Sequence, residues 1–117
     1  MPTMSTQKLL GSTGWAEPAG YDEASVDRAF LRSGDELVIE CTYEGRRYTA
    51  TLRRTAADEF SGKYETRYDG HPFEGNASCR LFTSDGAKFV FGRWYEDDQY
   101  YLWWADLKVV EHFPDES

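Results

Sequence analysis

Residues 36–53 read Glu-Leu-Val-Ile-Glu-Cys-Thr-Tyr-Glu-Gly-Arg-Arg-Tyr-Thr-Ala-Thr-Leu-Arg, and the fold is decided here. Leu37, Ile39, Cys41 and Tyr43 alternate with Glu36, Val38, Glu40 and Thr42, a period of two that predicts a strand with one buried face. Glu44-Gly45 is a tight-turn dipeptide. Beyond it Tyr48, Ala50 and Leu52 alternate with Arg47, Thr49, Thr51 and Arg53, as a hairpin partner should.

The pattern continues downstream. Phe60, Gly62, Tyr64, Thr66 and Tyr68 take one face of a third strand, with Ser61, Lys63, Glu65 and Arg67 on the other. Asp69 to Gly75 reads as a turn-rich loop, and Ala77, Cys79 and Leu81 resume the alternation up to Ser84-Asp85-Gly86. Strands over about 87–95 and 99–107 follow, separated by Glu96-Asp97-Asp98. Connections this short favour antiparallel neighbours in chain order.

The expected fold class is therefore mainly β, a six-stranded antiparallel meander. An open sheet would leave two unpaired edges, so closure or near closure into a small barrel is expected. Gly62 and Gly92 inside strands fit the close backbone approach of a barrel corner. A curved sheet capped by a helix is the alternative. Upstream, Asp22 as N-cap, Val26, Ala29 and Phe30 at helical spacing, and Gly34 as terminator predict a short N-terminal helix over about 23–32. Residues 1–20, anchored by Trp15, read as a loosely ordered or strand-like lead-in. Residues 21–113 read as a single β-rich domain and 114–117 as a flexible tail.

The 117 residues suit one core, which an aromatic content of 16% can fill. The net charge of −8 opposes binding to phosphate backbones, so nucleic acid is not an expected partner. Much of the excess lies in 96–117, where seven acids face only Lys108. Residues 1–15 lack the apolar stretch of a secretory signal, and no run approaches the roughly 18 apolar residues of a spanning helix. The expectation is a cytoplasmic protein with no membrane contact, its Cys41 and Cys79 reduced.

Alternation fails in the last two predicted strands. Phe89 and Phe91 oppose Val90 and Trp94, and Tyr101, Trp103 and Leu107 oppose Tyr100, Leu102 and Trp104, so both faces are apolar. One interior cannot accept both sets. Either the outer face is covered by this chain, with Trp15, Phe30 and residues 1–34 the natural candidates, or it is an exposed patch that meets a partner.

Gly62-Lys63-Tyr64 and Gly92-Arg93-Trp94 resemble the glycine-x-aromatic strands of small ligand-binding barrels such as avidins and lipocalins. The resemblance places none of those families' ligand residues on this chain.

Few residues point to chemistry. His71 and His112 have no third ligand at metal spacing, and no metal or cofactor is expected. Cys41 and Cys79 fall on inward phases, as small core hydrophobes. Asp97-Asp98 lacks the spacing of a calcium loop. Arg46-Arg47 and Arg53-Arg54 read as a solvated or acid-paired face. No phosphate loop, nucleophile elbow or dinucleotide fingerprint occurs.

The favoured reading is a non-catalytic protein-interaction module of adaptor, inhibitor or immunity type. It would use Trp94, Tyr95, Tyr100, Tyr101, Trp103 and Trp104, rimmed by Asp97, Asp98 and Asp106, to engage a basic protein or a second copy. The alternative is a calycin-like barrel that binds a small apolar or aromatic ligand. An enzyme is the weakest expectation, since it would need titratable groups such as Asp106, Glu65 and His71 to converge.

Overall fold

The computed structural model describes residues 5–68, 70–96 and 98–115. It shows eight antiparallel strands in chain order: β1 (Thr6–Glu17), β2 (Gly20–Arg32), β3 (Glu36–Tyr43), β4 (Arg46–Arg54), β5 (Glu59–Tyr68), β6 (His71–Ser84), β7 (Ala87–Glu96) and β8 (Gln99–Val110). Each pairs with its neighbour, and β1 closes on β8. The expected antiparallel barrel is present, but with eight strands rather than six and with no helix among the described residues.

The predicted helix over 23–32 is β2. The pairing of β2 shifts by one residue between Val26 and Arg28, so a bulge moves its inward phase from Val26 to Ala29. That extra residue creates the three-residue spacing that imitates a helical face. Strand β1 escaped the count because an exposed Gly11 and a buried, polar Thr13 stand between Leu9 and Trp15, which blurs the apolar period. Part of the expected loop at 69–75 belongs to β6, since pairing with β5 continues to Tyr68↔His71. Pro72 is tolerated there because β7 joins β6 only from Asn76 onward, leaving Pro72 with one neighbour.

The turns follow the dipeptides that mark them. Glu44-Gly45 and Asp85-Gly86 take positive φ at both positions (51° and 78°, 43° and 81°), the geometry that matches strand twist in a two-residue hairpin. Gly62 and Gly92 sit where a Cβ would run into the carbonyl oxygens of Thr51 and Ser78. Only glycine allows that approach between adjacent strands.

The interior is layered. Toward the end carrying turns 33–35, 55–58 and 85–86 it is aliphatic, with Leu9, Leu37, Leu52, Val90 and Leu107 fully buried around Phe60. Each such side chain stabilises the fold by about 1.5–3 kcal/mol. Toward the opposite end it is aromatic. The outward positions of β4 and β5 carry Arg47, Thr49, Thr51, Arg53, Ser61, Lys63, Glu65 and Arg67, a wall of polar and charged side chains.

Two local features modify the barrel. Pairing of β2 with β3 ends at Val26↔Cys41, and that of β4 with β5 at Thr49↔Glu65, so in the β3–β4 tip, residues 42–47, strand pairing runs only within the hairpin. The segment after β8 folds back across the outside of β1 and β2. There Phe113 is buried edge-on against Phe30, ring centroids 5.3 Å apart, beneath Lys8 and Arg28. An Arg28–Asp115 ion pair lies at its end.

Candidate functional site

The alternation that failed in the sequence sorts the predicted site residues onto two faces. Trp94, Tyr101 and Trp103 turn into the barrel; Tyr95, Tyr100, Trp104 and Asp106 turn out. Asp98 occupies the β7–β8 turn at a φ of 59°, and Asp97 lies outside the described residues.

The inward set joins a packed aromatic cluster. Trp94 stacks on Tyr64 at 4.8 Å between centroids and lies 5.5 Å from Trp15, whose other side meets Tyr43 edge-on at 4.8 Å. Tyr48 and Tyr101 close the group around Trp94. The indole N–H of Trp94 donates to Glu96 at 3.1 Å, and that of Trp103 to the buried Thr13 hydroxyl at 2.9 Å. The remaining void among these rings is about 20 Å³, room for about one water molecule. Ligand sites usually offer about 300–1,000 Å³.

The outward set lies open. Phe82, Phe89, Phe91, Leu102, Tyr100 and Tyr21 are 41–69% exposed and occupy neighbouring positions on β6, β7, β8 and β2. Register fixes the layout: Phe82 faces Phe89, Phe91 faces Trp104, and Tyr95 faces Tyr100. Trp104 is half-buried because its ring lies over Gly14, where a Cβ would strike it. Tyr21 reaches it from β2, 6.2 Å between ring centroids.

Of the two alternatives, cover by residues 1–34 or exposure, the described residues 5–34 leave most of this strip exposed. Trp15 points inward, Phe30 meets Phe113 instead, and of that segment Tyr21 and Gly14 approach the outer rings. The rim is mixed in charge rather than acidic throughout. Arg80 beside Phe91 pairs with Glu59 at 3.2 Å, Arg93 lies over Tyr100, and Asp106 stands beside Phe89. Tyr95 donates to Asp98 at 2.8 Å, which raises its phenol pKa.

Sequence reasoning left Tyr21, Phe82, Phe89, Phe91 and Leu102 out of the site. Phe89, Phe91 and Leu102 were visible as breaks in alternation. Tyr21 was hidden by the helix reading, and Phe82 by treating β6 as one-faced.

Other chemistry does not assemble. Asp106, Glu65 and His71 lie on β8, β5 and β6 without converging, and no cluster of three metal-ligating side chains occurs among the described residues. Cys41 and Cys79 are buried free thiols, with pKa values pushed up by desolvation to about 11 and about 12. Arg53 and Arg54 are acid-paired, with Glu36 at 3.6 Å and Asp35 at 3.5 Å, and Arg54 also donates to the Gly34 carbonyl. The splayed β4–β5 seam opens a cleft of about 780 Å³ whose Arg46, Arg47 and Arg67 are offset by Glu65 and Glu74. No protein-family model matches the chain, and no curated protein matches it.

Proposed function

We propose that the chain is a non-catalytic protein-interaction module that binds through the outer face of β6–β8 together with Tyr21. One observation carries the reading: six large apolar side chains, each at least 41% exposed, grouped around Trp104 across successive rungs of β6–β8 and from β2, on a barrel whose interior is already filled. Isolated soluble chains rarely leave apolar patches above about 300–600 Å² uncovered, and aromatic anchors ringed by charge are what interfaces use for affinity and orientation. The charged outer wall of β4 and β5 offers no comparable surface. A mixed rim, with Arg80 and Arg93 as well as Asp106, favours a partner of mixed charge over a uniformly basic one. The free thiols Cys41 and Cys79 accord with a reducing compartment such as the cytoplasm.

The test compares affinity capture from the native cell by the wild-type chain and by a Phe91→Ser/Leu102→Ser variant whose circular dichroism matches that of the wild type. Proteins held by the first and lost by the second are expected. Equal retention by both would remove this face from consideration.

A further inference from the structure

We infer that the occupant of this face is a second copy of the same chain, packed outer sheet to outer sheet about a two-fold axis through the Phe91–Trp104 pair. The inference rests on the interaction-face reading above and names its partner.

Area is the first argument. Large apolar side chains carry roughly 150–250 Å² each, so the half-exposed Phe82, Phe89, Phe91, Leu102, Tyr21 and Tyr100 together present roughly 600 Å². A standard stable interface uses about 800 Å² per partner, which this strip and its polar rim approach.

Charge is the second argument. In β7, Arg93 stands two residues beyond Phe91 toward the β7–β8 turn. In β8, which runs the opposite way, Asp106 stands two residues beyond Trp104 toward the far end. The two charges therefore flank the Phe91–Trp104 pair on opposite sides and at opposite corners. A two-fold axis lying in the contact plane over that pair, perpendicular to the line from Arg93 to Asp106, sets Arg93 of each copy against Asp106 of the other, twice over. Neither side chain makes an ion pair with another described residue; Arg93 rests over the Tyr100 ring, 5.8 Å from its centroid. A self-complementary patch of this kind also closes on itself, which limits further association.

The experiment is sedimentation velocity on the full chain, with circular dichroism to verify folding. The wild type is expected to sediment at twice its 13.5 kDa mass and to dissociate on dilution. Arg93→Asp and Asp106→Arg should each shift it to monomer, and the combined swap should restore the dimer. A wild type that stays monomeric up to about 100 µM overturns the proposal, as does a dimer indifferent to both single reversals or a combined swap that stays monomeric. A monomeric wild type that still captures cellular proteins through Phe91 and Leu102 would overturn only the self-contact. The interaction-face reading would then stand.

Discussion

The indole N–H of Trp103 donates to the Thr13 hydroxyl at 2.9 Å, and that hydroxyl in turn donates to the Trp104 carbonyl at 2.8 Å. One side chain thus joins β1 to β8 twice, at the ladder that closes the barrel. Thr13→Val keeps the shape and removes both bonds, leaving a buried N–H unsatisfied at a cost of about 1–3 kcal/mol. Urea unfolding should show a lower midpoint with an unchanged slope.

Trp103 and Leu102 are adjacent in sequence and opposite in consequence. Trp103 is 3% exposed and Leu102 is 51% exposed. At a concentration where both chains are monomeric, Trp103→Ala should destabilise by about 3–5 kcal/mol, whereas Leu102→Ser should stay within about 0.5 kcal/mol of the wild type. Thermal denaturation of the two variants checks the assignment of faces, and similar losses in both would contradict it.

Stability should fall at alkaline pH. The Cys41 and Cys79 thiols are held near 11 and 12 in the folded chain by burial, against an ordinary value of 9.0. The unfolded state therefore releases protons first. Their contribution is intact below about pH 9 and declines above it, at up to about 1.4 kcal/mol per pH unit for each thiol until the folded values are reached. Cys41→Ala/Cys79→Ala should flatten that slope. At pH 8 a thiol reagent should label neither cysteine until the chain unfolds.

Phe113→Ala should cost about 3 kcal/mol, because it uncovers Phe30 and removes a buried ring from beneath Lys8 and Arg28. Calorimetry reads the change directly. No loss would mean that the segment after β8 does not hold the outer face of β1 and β2.

Gly62→Ala should destabilise by about 1–3 kcal/mol, since its Cβ meets the Thr51 backbone rather than a movable side chain. Gly45→Ala meets no atom but must adopt a φ of 78°, and about 1 kcal/mol is expected. Denaturant titration of both separates crowding from conformation.

Much of this fold was legible wherever a strand buries one face in a regular register. The hairpin Glu36–Arg54, the strand Glu59–Tyr68 and the turns at 44–45 and 85–86 follow directly from alternation and Gly placement. The first two strands were not legible, for local reasons. A single bulged residue in β2 turns a period of two into an apparent period of three, and Gly11 and Thr13 dilute the apolar signal of β1. The site was legible as a conflict rather than a location. Two apolar faces on β7 and β8 show that one of them must lie outside the core. Only the register distinguishes Trp103, inside, from Trp104, outside, or places Tyr21 beside the latter from eighty residues away.

Among the described residues, seven of the eight ladders join segments that follow one another in the chain; β1 with β8, where Lys8 meets Val110, must find a distant partner. The hairpins can form early and independently, so the last event in reaching the native state is the search that joins the two ends of the meander. The Thr13 bridge seals that joint and should therefore act on the lifetime of the folded chain more than on its rate of formation.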